Sequence, residues 1–219
     1  MVPDRVLTAT APGDDQDASL ALRIPRGDAG TDLTIAAMRA LAWHAATTPD
    51  IEALAAEMYR EGDGFALGAL WDWAKREVHF KRDPRGIERV QSPELLLRRI
   101  RRHETLRRSG RAVEGEGDCD CVAPLYVAVM LALGQDAIGG APAFVVVGRE
   151  PAPAEFEHVF AAVIPENIRP VGAEHFTENQ RPARWKPFDP QETRAFGQIV
   201  PSSRLRVYPA LPEGVPWPR

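Results

Sequence analysis

Residues 122–133, VAPLYVAVMLAL, limit what this chain can become more than any other stretch. A helix over them is apolar nearly all round, and a helix without a polar face has no place on a surface. It must run through the middle of a domain, ended by Gly134, with other elements packed around it. At 219 residues and 44% apolar content the chain can bury such a helix, and one domain with trimmings is expected.

Helices and strands to surround it are legible on either side. "TIAAMRALAWHAATT" opens behind Asp32 or Thr34 as a cap, and "TPDIEALAAEMYREG" has Thr48 as cap and Pro49 at its first position. In "GFALGALWDWAKREVHF", Leu67, Leu70, Trp71 and Ala74 recur at spacings of three and four, one buried face, and Trp43 also fits a core helix. "FKRDPRGIERVQ" has turn chemistry, and "SPELLLRRIRRHETLRR" is a helix capped by Ser92 with Pro93 behind it. Past the central helix the pattern changes to β-branched runs. "PAFVVVG", "FEHVFAAVI" and "ARWKPFDP" are expected strands, with "LRVYPAL" a weaker one. Residues 1–33 alternate and turn like a hairpin or extended arm, 34–210 form the main domain, and 211–219 are an irregular proline-rich tail. Helices first and strands second imply an α+β class with the buried helix packed on a mostly antiparallel sheet.

Both cysteines sit at the mouth of that helix, in "EGEGDCDCVAP", after a flexible Gly-rich "GEG". A helix N-terminus has unpaired N–H groups and a partial positive charge, which favour a thiolate. The flanking Asp118 and Asp120 oppose that, so a nucleophilic Cys119 needs a cationic partner, most simply an imidazolium. His158, on the apolar strand "FEHVFAAV", is the candidate. Asp189, ending "WKPFDP", is placed to hold the imidazole in one tautomer.

"GDCDCVAPLYVAVMLALG" resembles the Gly-Asp-Cys-Asp helix of the transglutaminase-like superfamily, the papain-like α+β fold of transglutaminases and related bacterial cysteine proteases. In that resemblance Cys119 is the nucleophile, with the small Ala123 four positions on. "EHVFAAV" is similar to the family's histidine strand and gives His158; "WKPFDP" is similar to its Trp…Asp-Pro strand and gives Asp189. "DWAKREVHFKRDPRGIERVQSPELLLRR" resembles the segment before the cysteine in short bacterial and tailed-phage members, so the likeness covers roughly residues 50–190. It implies a transglutaminase-like domain over 34–210 and a Cys-His-Asp triad of Cys119, His158 and Asp189. The implied activity acts on a peptide or protein amide through a thioester, by hydrolysis or acyl transfer, with no cofactor. The chain departs from the pattern at Cys121, where the family has aspartate, and at Pro124, which would kink the helix or delay its start. "PENIRPVGAEHFTENQRP" is inserted between histidine and aspartate, within 165–184, as a lid, a partner site or decoration.

Other readings compete. A metal site would use the cysteines and aspartates with His158 or His175, but residues two apart on a helix diverge and no second Cys pair or His-x₃-His exists, so no metal is expected. Free cysteines are often structural, which is the expectation for Cys121. His175 is the runner-up base; His44, His79 and His103 are structural or solvated. Trp185 either lines the cleft or packs in the core. The arginines between Arg98 and Arg111 form a solvated helix facing the acidic "EGEGD", or alternatively a surface for an anionic partner. The net charge of −4 and the lack of interleaved aromatics make nucleic acid an unexpected partner. No apolar run is long enough to span a bilayer, and the N-terminus has no signal-peptide pattern. Two cysteines so close form no disulfide framework. A cytoplasmic setting is expected, with a virion-associated one as the alternative. A non-catalytic structural or assembly protein on the same fold is the alternative function.

Overall fold

A computed structural model describes residues 5–11, 18–83, 87–148, 156–165, 174–176, 185–198, 202, 204–211 and 215–218. The central helix is α5 (Cys119–Leu133), and every residue from Asp120 to Leu131 is buried. On one side it meets α1 (Asp28–Ala45), α2 (Pro49–Glu61) and α4 (Pro93–Arg108). On the other it lies against β4 (Ala141–Gly148) and β5 (His158–Ile164). Full burial of a Leu, Val or Met side chain is worth roughly 1.5–3 kcal/mol, so an all-apolar helix gains most when enclosed on every side. Pro124 neither delays nor ends it: the helix starts at Cys119, and the cost is the backbone bond that residue 124 cannot donate to Asp120.

The chain is α+β, with two sheets among the described residues. The larger sheet has the order β6-β8-β4-β5-β7, and all its pairings are antiparallel. Its remaining strands are β6 (Glu174–Phe176), β7 (Lys186–Phe188) and β8 (Arg204–Pro209). Alternation along β4 and β5 divides the apolar residues between faces. Phe144, Val146, Val159, Ala161 and Val163 join the core under the helices. Val145, Val147, Phe160, Ala162 and Trp185 form a second core on the opposite face. Trp185 therefore packs in this second core rather than lining the cleft.

The smaller sheet, β2-β1-β3, pairs the antiparallel hairpin β1 (Arg5–Ala11) and β2 (Ala18–Ile24) with β3 (Ile87–Gln91), parallel to β1. Three sequence readings are corrected here. "IERVQ" is strand β3 and not turn; its Val90 is fully buried, and what holds it is a partner strand some eighty positions earlier. Helix α1 begins at Asp28 rather than behind Asp32 or Thr34: the Asp32 carboxylate accepts from the Tyr208 hydroxyl and Arg206, and the Thr34 hydroxyl donates back to the Gly30 carbonyl. Trp43 is 43% exposed, on the side of α1 away from Met38, Ala42 and Ala45.

Two further elements complete the order. Helix α3 (Ala66–Glu77) buries Leu67, Leu70, Trp71 and Ala74, and a short α6 (Gln135–Ile138) follows the central helix. Trp71, Tyr126, Phe188 and Phe196 meet edge to face, with centroids 5.0–6.0 Å apart, and tie α3, α5 and β7 together. In the tail, the Trp217 indole donates to the Leu131 carbonyl at 2.6 Å, satisfying one of the carbonyls left over at the end of α5. No helix among the described residues is long and apolar enough to cross a membrane.

Candidate active site

Asp118 precedes α5 in extended conformation, and its carbonyl takes the Cys121 and Val122 N–H groups at 3.1 and 2.9 Å. Its side chain does not cap the helix; one carboxylate oxygen accepts the Asp83 N–H at 3.0 Å. Cys119 is the first helical residue and is half-buried. The backbone N–H of Val159 bonds to its sulfur, so the start of β5 is laid against the start of α5. His158, next to Val159, shares with Cys119 the lining of both a cleft of about 850 Å³ and a narrow crevice behind it.

The third residue arrives from β7. β7 pairs with β5 through Ala161 opposite Phe188, which sets Asp189 beside the first turn of β5. The His158 Nε2–Asp189 Oδ2 distance is 2.8 Å, and Asp189 is 2% exposed. The bond fixes the ring and leaves Nδ1 as the nitrogen available to the thiol. Phe160 stacks on the imidazole from the same side of β5, centroids 5.9 Å apart. Asp189 is itself held: its second oxygen accepts the Glu192 N–H at 3.4 Å, and its carbonyl takes the Thr193 hydroxyl and N–H at 2.7 and 3.1 Å. Lys75 of α3 pins this turn by donating to the Pro190 and Thr193 carbonyls at 2.8 and 3.1 Å.

The loop before Cys119 is fixed, not flexible. Glu116 has no exposed side-chain surface. It accepts from Arg107 at 3.0 Å and from the His79 N–H at 2.7 Å, and lies 3.1 Å from His103 Nδ1. Its carbonyl takes the Arg99 guanidinium at 3.0 Å. Gly115 and Gly117 allow the close approach: a Cβ on Gly115 would lie 2.5 Å from the Phe80 carbonyl oxygen, and one on Gly117 would lie 2.7 Å from the Cys121 Cβ. Two of the α4 arginines turn inward, and three pair at the surface. Arg99 and Arg107 go to Glu116, Arg98 and Arg101 to Asp50, and Arg108 to Glu104.

The electrostatics oppose a resting thiolate. Desolvation pushes the Cys119 thiol well up, and the charges of Asp120 and Asp118 add to it. Asp120 is pushed up in turn by burial and by the nearby Asp118 carboxyl. Asp83 rises to about 6, by burial first and then Asp118. Asp118, Asp120 and Cys121 are the one group of three potential metal ligands among the described residues whose ligand atoms lie within 4.8 Å of each other. Cys121 does not fit a metal: its S–H donates to the Arg89 carbonyl at 2.7 Å while Gln91 donates to its sulfur at 3.3 Å, which holds the proton on the thiol. It is buried and structural in its contacts.

His175 lies on β6, three strand steps from β5, about 14 Å at ordinary strand spacing. The rest of the 165–184 insertion, apart from Pro165 and the β6 residues 174–176, lies outside the described residues. Lys75, Gln91 and Glu116 were not singled out from sequence; Glu116 alone carried a signal, as an acid between two glycines facing an arginine-rich helix. No family model, curated protein or solved structure matches the chain.

Proposed function

We propose that the protein is a cysteine-dependent amide-bond enzyme of transglutaminase-like, papain-like type, with Cys119 as nucleophile, His158 as general base and acid, and Asp189 as the group that orients the imidazole. The observation that carries this reading is the meeting of three distant segments at one cleft. The Val159 N–H lies on the Cys119 sulfur, and His158 is bonded through Nε2 to a buried Asp189. The likeness of "GDCDCVA", "EHVF" and "WKPFDP" to that family's motifs supports it.

The thiol is neutral at rest, so its proton leaves as attack occurs rather than beforehand. His158 Nδ1 takes the proton while the sulfur adds to the carbonyl carbon, and Asp189 stabilises the imidazolium that forms. The Cys119 and Asp120 N–H groups, at the first two positions of α5 and outside its ladder, are the donors for the oxyanion. Collapse breaks the C–N bond. His158 returns the proton to the departing ammonia or amine, and a thioester is left on Cys119. Water or a second amine then attacks the thioester, giving its proton to His158, and the thiol is reformed.

Incubation with a glutamine peptide and a dansylated diamine, and separately with an unfolded protein substrate, tests this. Ammonia release, amine incorporation or cleavage is expected, and Cys119→Ala abolishes it. A Cys119→Ala protein with full turnover would end the reading. The second reading, an assembly protein with a silent triad, draws on the carboxylates that hold the thiol protonated. It predicts no turnover on any amide and a Cys119 no more reactive than Cys121.

A further inference from the structure

The carboxylates around the thiol pose a problem that the triad does not solve. Asp120 is 4% exposed and lines the cleft beside Cys119; no N–H or hydroxyl among the described residues donates to its carboxylate oxygens, and its polar neighbour is the Asp118 carboxyl, with which it can share a proton. One oxygen of Asp118 is buried and unpartnered as well, and the two carboxyls lie within 4.8 Å of each other. A buried carboxylate without a donor is costly, and two together need a shared proton or a cation. Glu88 of β3, Glu157 and Arg26 also line the cleft among the described residues. The lining also includes the aliphatic Ile35 and Met38 of α1 and Val146, together with Thr31 and Thr34. A cleft lined by both aliphatic side chains and acids suits a long aliphatic stem with a charged head.

We propose that the cleft seats the side chain of an arginine- or lysine-type residue beside the scissile amide, its cationic head against Asp120 and Glu88 and its stem along Ile35, Met38 and Val146. This rests on the reading of Cys119 as nucleophile and names the class of amide it acts on. A cation at Asp120 also offsets the charges that keep the thiol protonated. A cationic substrate thus makes its own nucleophile easier to ionise, and neutral or acidic amides are turned over more slowly.

Alkylation of Cys119 tests this without a known substrate. Rates with 2-bromoethylammonium, iodoacetamide and iodoacetate are measured by mass spectrometry in chelator, each divided by its rate with glutathione. The cationic reagent is expected to be favoured over the neutral one by at least tenfold and iodoacetate disfavoured. Glu88→Gln and Asp120→Asn should each lower that preference severalfold. N-acetyl-argininamide is expected to protect Cys119 from iodoacetamide at concentrations where N-acetyl-citrullinamide does not. Labelling by iodoacetamide with no charge preference and no difference between the two amides would overturn the substrate class and leave the nucleophile standing. Protection by millimolar calcium and not by argininamide would also overturn it, making the seat one for an inorganic cation. A Cys119 inert to all three reagents would remove the nucleophile and the proposal together.

Discussion

His158 and Asp189 illustrate what single residues contribute. A histidine at the first position of a strand has one nitrogen to spend on orientation and one on chemistry; the 2.8 Å contact from Nε2 to a buried carboxylate commits the first. Asp189→Asn keeps the size of the side chain and removes the charge that stabilises an imidazolium. It is expected to lower kcat by about 10²–10⁴-fold with a thermal midpoint close to the parent's, measured on whichever amide substrate the turnover screen yields. A kcat within twofold of the parent would separate Asp189 from the chemistry. The triad candidates were legible because each sits in a distinctive local setting: a thiol at a helix mouth, a histidine among apolar strand residues, an aspartate before a proline stop. The acidic surround of Cys119 was legible only in part. Asp118 and Asp120 are neighbours in sequence, but Glu88 reaches the thiol, and Asp83 the Asp120 carboxyl, only through the fold.

Among the elements, the loop 110–118 matters most for the site, since it sets where α5 begins. Glu116 fastens it to α4 and to His79, and the glycines on either side allow backbone contact. Glu116→Gln replaces a charged acceptor by an amide, while Arg107, a quarter exposed, keeps Glu77; weakening a hydrogen bond to a charged group costs about 1.5–3 kcal/mol. Urea unfolding is expected to register that loss, and a midpoint equal to the parent's would contradict it. Gly117→Ala drives a Cβ into Cys121; overpacking of this kind costs about 1–3 kcal/mol, and the displaced helix start should slow Cys119 alkylation as well. Composition made this loop look flexible, because two glycines within three residues carry the same letters whether they serve motion or close packing. Strand β3 was missed for a related reason: five residues with two charges show little alternation, and the parallel partner that makes them a strand is remote. The central helix and the β4 and β5 strands were plain because burial on all sides leaves a long apolar run.

Across the whole molecule, the cluster near Cys119 links stability to pH. Asp83 has its carboxyl raised to about 6, above the value of about 3.9 for an unfolded aspartate. A group raised in the folded state favours folding while protonated, so its contribution is full below the unfolded value and disappears as pH rises through about 6. Asp120 acts in the same direction. The protein is therefore expected to lose stability between pH 4 and pH 7 on account of this cluster. Asp83→Asn, which keeps an acceptor for the Arg89 N–H, should flatten that loss. Urea midpoints across the range check it, and parallel curves for parent and variant would contradict it. Of these two carboxyls, Asp120 lines the cleft at the thiol, the kind of local cost expected where a site is built for a ligand rather than for stability.

The meeting of thiol and imidazole is tested most directly by the rate at which iodoacetamide labels each cysteine at pH 7.5, read by mass spectrometry in the parent and in His158→Ala. The account predicts that Cys119 is labelled well ahead of the buried Cys121, and that loss of the imidazole slows Cys119 by about a hundredfold, the lower end of what a positioned base supplies. Equal rates for Cys119 in the two proteins, or labelling of Cys121 first, would contradict it.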